Sequence, residues 1–221
     1  DGQSVPEEQG GWRTVCPSAN AYGSLARPRA LSVDEIHTIV DQFRDAAWRA
    51  MNIGFDAVEV HAAHGYLLSQ FLDPLINERD DEYGGSFDNR VRMLVEVVDA
   101  IRSVVPDTMP VLVRVSATDW AAGGWDLDQT VELAKILKAH GVDLIDVSTG
   151  GLIPDVTIPV KPDYQVPFAE QVRSRAGIPP TAVGLITKPK QAKKILKSGA
   201  ADAVEIGRAA LRDPYWPLRA A

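Results

Sequence analysis

Two imidazoles and a phenol stand close together in the run His61-Ala62-Ala63-His64-Gly65-Tyr66. His61 ends a short apolar run of strand type, DAVEVH over 56–61, and His64 follows one turn later. At that spacing both rings can face one point. A pair of imidazole N–H groups would then polarise a carbonyl or nitro oxygen, with Tyr66 near enough to deliver a proton. The same spacing would also serve two metal ligands, or a histidine that only caps a strand. No third carboxylate or histidine completes a metal set, because His37 and His140 fall in helical segments. No metal is therefore expected.

Arg114 lies inside another apolar run, VLVRVS over 111–116. A guanidinium so placed needs a partner. One reading is an ion pair with Glu59 on a neighbouring strand. The other is a fixed positive charge beside a cofactor that turns anionic on reduction, as a flavin does near N1. Further on, Val183-Gly184-Leu185-Ile186-Thr187 and Ile206-Gly207-Arg208 place glycines at two strand ends. Glycine there lets backbone N–H groups approach a phosphate, a short helix from Gly207 adds its positive end, and Arg208 can fork onto phosphate oxygens. The plainer alternative is that these glycines terminate strands. The polar run 77–90 supplies no chemistry by itself, and its Ser86 reads as a helix N-cap.

These residues are held by a regular alternation. After an irregular lead-in over 1–31, Ser32 and Glu35 form a capping box that opens an amphipathic helix over 32–52. Strands over 56–61, 111–116, 143–148, 181–186 and 202–206 then alternate with helices over 87–105, 126–140, 165–176 and 188–198. Such alternation predicts a parallel sheet with crossover helices. Polar residues inside the strands (Glu59, Arg114, Asp146, Glu205) and chemistry at several strand ends favour a (β/α)8 TIM barrel over an open doubly wound sheet. Only about five of the eight βα units are present, in a single domain over 1–221, so the chain reads as part of a longer barrel.

Composition narrows the partners. The net charge of -7 offers no general basic surface to a nucleic acid. No apolar run approaches the roughly 20 residues needed to span a bilayer. Cys16 is the single cysteine, which excludes an internal disulfide and a four-cysteine cluster and fits a reducing, cytoplasmic compartment.

The stretch GFDAVEVHAAHGYLLSQFLDPLINERDDEYGGSFDNR resembles the signature of the old yellow enzyme family of NAD(P)H:flavin oxidoreductases, in its thermophilic-like, xenobiotic-reductase branch. WRTVCPSANAYG is similar to the loop after that family's third strand, and VLVRVSATDW, IDVSTGGL, AVGLIT and IGRAALRDPYW resemble its later strand ends in order. The resemblance implies an eight-stranded barrel holding FMN at its mouth, with NADPH or NADH as reductant and an activated alkene as substrate. It implies that His61 and His64 bind the substrate oxygen, that Tyr66 protonates the α-carbon, and that Arg114 meets the flavin N1–C2 edge. Gly184, Gly207 and Arg208 would hold the phosphate. Cys16 stands where the family has alanine and is read as structural. The resemblance also implies a homo-oligomer, dimer or tetramer, in the complete protein. The family's first three strands and its C-terminal tail have no counterpart here. Two alternatives stand beside the ene-reductase: a barrel fragment without catalysis of its own, and the barrel portion of a 2,4-dienoyl-CoA reductase.

Overall fold

The computed structural model describes residues 4–220. Its lead-in is less irregular than the sequence suggests, because β1 (Val15–Cys16) and β2 (Arg29–Ala30) pair in parallel. Strands this short carry no periodic signal and exist through their long-range pairing. Cys16, itself part of this ladder, is buried, with its Sγ near the Arg29 carbonyl.

The helix α1 (Val33–Asn52) starts at the expected capping box: the Ser32 hydroxyl accepts from the Glu35 N–H, and the Glu35 carboxylate accepts from the Ser32 N–H. Five strands follow, β3 (Val58–Ala62), β4 (Val111–Ser116), β5 (Leu144–Ser148), β6 (Pro180–Ala182) and β7 (Ala203–Val204). All pair in parallel, in strict chain order from β3 to β7. A doubly wound sheet reverses strand order at a switch point; this one does not, as expected of an arc of barrel wall. The crossovers carry α2 (Leu67–Leu72) and α3 (Phe87–Arg102), then α4 (Leu127–Ala139), α5 (Val166–Ala176) and α6 (Pro189–Ser198). The chain closes with α7 (Arg208–Arg212) and α8 (Trp216–Ala220).

The core lies between the helices and one face of the sheet. Val60, Val113, Val115, Ile145 and Val147 point into it and are almost wholly buried, against Val91, Leu94, Val97 and Ile101 of α3 and Val131, Leu133 and Leu137 of α4. Each such side chain is worth about 1.5–3 kcal/mol of burial. Two strand expectations need shortening. The apolar run 181–186 leaves the ladder after Ala182, where Gly184 takes φ 119°, and 202–206 pairs only over Ala203–Val204. Both remainders become loops at the C-terminal ends of the strands, where barrels place function.

Candidate active site

Parallel register brings one residue of each strand onto a common rung. His61 pairs with Arg114, Arg114 with Asp146, Asp146 with Thr181, and Thr181 with Ala203. Rung partners point to the same face of a sheet. His61, Arg114, Asp146 and Thr181 therefore share the face away from the helices, and Glu59 joins them two residues before His61.

Arg114 does not pair with Glu59. Its Nε lies 2.7 Å from Asp146 Oδ2 and its Nη2 lies 3.5 Å from Glu205 Oε2. The expected partner is corrected for a physical reason: Glu59 sits on the edge strand and is exposed, whereas Asp146 is 0% exposed and holds the cation against its own burial cost. Arg114 is thus ion-paired, and it also lines a cleft at the strand ends.

The turn after β3 is held by backbone contact. His64 adopts φ 61°, a left-handed conformation rare for a residue with a side chain, and its N–H donates to Ser116 Oγ at 3.0 Å. Ser116 in turn donates to the Gly150 carbonyl. Gly65, at φ 79°, lies so close to the loop after β5 that a Cβ would stand 2.5 Å from the Gly151 carbonyl oxygen. Gly65→Ala is therefore expected to lower unfolding stability by about 2–4 kcal/mol, through strain and a backbone clash. A denaturant midpoint unchanged from the parent would contradict that packing.

His64 Nε2 meets Ser148 Oγ at 2.7 Å. Ser148 also stands 3.3 Å from Gln165 Oε1, which already accepts from Thr149 Oγ1 at 2.7 Å. The His64 tautomer decides which of this pair donates: with the ring proton on Nδ1 the Ser148 hydroxyl donates to Nε2, and with it on Nε2 the ring donates and the hydroxyl turns to Gln165. The rings of His61 and His64 are 5.3 Å apart, and those of His61 and Tyr66 5.2 Å. The structure thus gathers the trio, with His64 in the cleft wall, while His61 and the 63% exposed Tyr66 are not among the residues that line the cleft.

Burial, then the Arg114 charge, lowers the His61 pKa, and burial, Arg114 and His61 together push His64 down to about 4. Both rings are neutral at pH 7, with one N–H each to offer. A depressed histidine pKa stabilises the fold above the unfolded value of 6.5 and loses that contribution as pH falls toward about 4, because the unfolded chain protonates first. The stability of His64→Gln should accordingly fall less than that of the parent across this window in denaturant titrations.

The cleft, about 340 Å³, opens at the ends of β4 to β7 and is of a size that holds small molecules. Arg114, His64, Gly184, Gly207 and Arg208 all line it. Gly184 is obligatory, since at φ 119° a Cβ would also press on Gln165 and Tyr164 at 3.1 Å. The helix after Gly207 is short, as expected: α7 has 5 residues, and Arg208 and Arg212 on it line the cleft. Sequence reasoning missed Ser148 and Gln165, which line the same cleft. Ser148 ends β5, so its strand-end position was the available signal; Gln165 precedes α5 and offered none.

A model of the NADH:flavin oxidoreductase / NADH oxidase family matches residues 2–221. The NADPH dehydrogenase of Listeria welshimeri is 49% identical over 208 residues, which cover 94% of this chain and 61% of that protein. A 2-naphthoyl-CoA reductase complexed with 2-naphthoyl-CoA superposes with a TM-score of 0.88 at 29% identity, over 95% of this chain and 33% of that one. Morphinone reductase in complex with tetrahydroNAD gives 0.78 at 33% identity, over 96% and 60%. The chain thus spans less than two thirds of the length of each of these relatives. Strand order, cleft position and these likenesses agree that the chain belongs to the NADH:flavin oxidoreductase / NADH oxidase family, the old yellow enzyme family of FMN-binding (β/α)8 barrels, and forms a five-stranded arc of that barrel.

Proposed function

We propose that this chain carries the substrate-activating and phosphate-binding side of an FMN-dependent ene-reductase, which uses NADPH or NADH to reduce the activated C=C bond of α,β-unsaturated carbonyl or nitro compounds. The observation that supports it most is a shared wall: His64 and Arg114 line the same cleft as Gly184, Gly207 and Arg208. The donor set suits FMN. Arg208 and Arg212 match a phosphate dianion, Gly207 has open space where a side chain would stand, and the Arg114 Nε–H is not engaged in a hydrogen bond.

When bound, FMN supplies the hydride that it has accepted from the nicotinamide. The chain's own residues do the rest. His61 and His64 donate N–H to the substrate oxygen and draw electron density toward it, which leaves the β-carbon electron-poor. Neutral rings suit this task, since a charged imidazolium would be costly beside Arg114. Tyr66, beside His61, offers its hydroxyl proton to the α-carbon. Arg114 sets a positive charge where reduction places a negative one. In the complete protein this reading includes a cytoplasmic homo-oligomer, a dimer or tetramer. No helix among the described residues is long and apolar enough to cross a membrane.

A second reading, the barrel portion of a CoA-thioester reductase such as a 2,4-dienoyl-CoA reductase, is favoured by the likeness to 2-naphthoyl-CoA reductase. Anaerobic reduction of the FMN-loaded full-length protein by NADPH, followed by mixing with cyclohexenone or with a dienoyl-CoA, separates the two. Reoxidation by cyclohexenone is expected. Reoxidation by the thioester alone would replace the first reading with the second, and a protein that cannot be loaded with FMN would end both.

A further inference from the structure

Beneath the cleft lies a cluster that the reaction as described does not use. Carboxylate oxygens of Glu59, Asp146 and Glu205 all lie within 4.8 Å of one another. They come from three strands or strand ends, and the cationic group among them is the Arg114 guanidinium. Among the described residues, His61 and His64 are the titratable groups next to Arg114, both neutral at pH 7, and Arg208 and Arg212 line the cleft above. Full ionisation would give three negative charges against one positive. Like charges so close, with Asp146 wholly buried, cannot all ionise.

The hydrogen bonding points to the same deficit. Thr181 Oγ1 lies 2.8 Å from Asp146 Oδ1 and 3.2 Å from Glu205 Oε1. A hydroxyl has one proton and can donate to one of them. The other contact becomes a hydrogen bond only if a carboxyl brings its own proton. Asp146 Oδ2 is close to Arg114 Nε at 2.7 Å, yet the N–H is not directed at it, and Oδ2 is left without a hydrogen bond. A buried acceptor in that state is costly, and a proton relieves it.

We propose that Asp146 and Glu205, bridged by Thr181, share one proton at neutral pH, and that the cluster takes up a second from solvent when the bound cofactor gains negative charge. Burial, and then Glu205, raise the Asp146 pKa, and burial and Glu205 raise that of Glu59, with Arg114 opposing both. The uptake half rests on the flavoenzyme reading. A hydride carries two electrons and one proton from the nicotinamide to the cofactor, which leaves NAD(P)+ and adds one negative charge beside Arg114. That charge draws on the same cation that restrained the carboxyls, so one of them binds a proton from water. The cluster then serves as the counter-charge store of the reductive step, and Asp146 and Glu205 are positioning residues for it.

The test has two arms. In the cofactor-free chain, the infrared difference spectrum at neutral pH, parent minus Asp146→Asn or parent minus Glu205→Gln, is expected to show the carbonyl stretch of a protonated carboxylic acid; the difference removes the band of Asp119, a second buried acid whose pKa burial and Asp73 raise. Glu205 is only half-buried, so its variant keeps the test open if Asp146→Asn fails to fold. No such band in the difference spectra would overturn the shared proton whatever the chain's function. In the FMN-loaded full-length protein, anaerobic reduction by NADPH in weak buffer with a pH indicator is expected to consume about one proton per flavin in the parent and far less in either variant. Equal uptake in parent and variants would overturn the counter-charge role. A present band with a protein that never accepts flavin would leave the shared proton standing and count against the flavoenzyme reading alone.

Discussion

His61→Ala combined with His64→Ala is expected to lower alkene reduction by about 10³-fold or more while FMN stays bound and is still reduced by NADPH. The size follows from what each ring supplies. A single preorganised donor to a developing oxyanion is typically worth about 3–4 kcal/mol. Two donors acting on one oxygen need not add, so the double variant is compared with each single variant. Neither ring is buried enough to make the substitution a folding problem: His61 is exposed and His64 half-buried. The split between half-reactions is the informative part. Stopped-flow reduction by NADPH should change little, and reoxidation by cyclohexenone should slow sharply. Near-parental reoxidation would show that the substrate oxygen binds elsewhere.

The second large effect is expected at Arg114. Arg114→Met should weaken FMN binding by about a hundredfold or more and lower stability by about 3–5 kcal/mol. The stability loss comes from the acids left behind, because Asp146 has no exposure to water and Glu205 loses the same cation. The two losses separate in a combined variant. Adding Asp146→Asn to Arg114→Met removes the orphaned acid and should restore much of the denaturant midpoint, while FMN affinity stays low. Recovery of both together would mean that Arg114 serves the fold and not the cofactor.

Much of the fold was legible because two periods are written plainly in the chain. The period-two alternation of VEVHA, VLVRVS and LIDVS named which residues turn from the helices, and the capping box at Ser32 marked where α1 begins. His64, Gly184 and Gly207 of the cleft were legible as strand ends, whereas Ser148 and Gln165 were missed. What escaped was everything decided by pairing across the sequence. Register puts Asp146 beside Arg114, and a single strand read alone does not disclose its neighbour's register, so Glu59 was the expected partner. The run 181–186 is apolar enough for a strand, yet the ladder stops at Ala182 and the rest bends into the cleft wall. The backbone contact between Gly65 and Gly151 joins residues far apart in the chain, and glycine at a strand end reads locally as a stop signal.

The most direct test of the account is a crystal structure of the FMN-loaded full-length protein with an α,β-unsaturated ketone bound. The FMN phosphate should lie against Gly184, Gly207 and Arg208, and one nitrogen each of His61 and His64 should stand within about 3.2 Å of the ketone oxygen. A ketone oxygen held by other groups, or a phosphate bound away from that cleft, would contradict it.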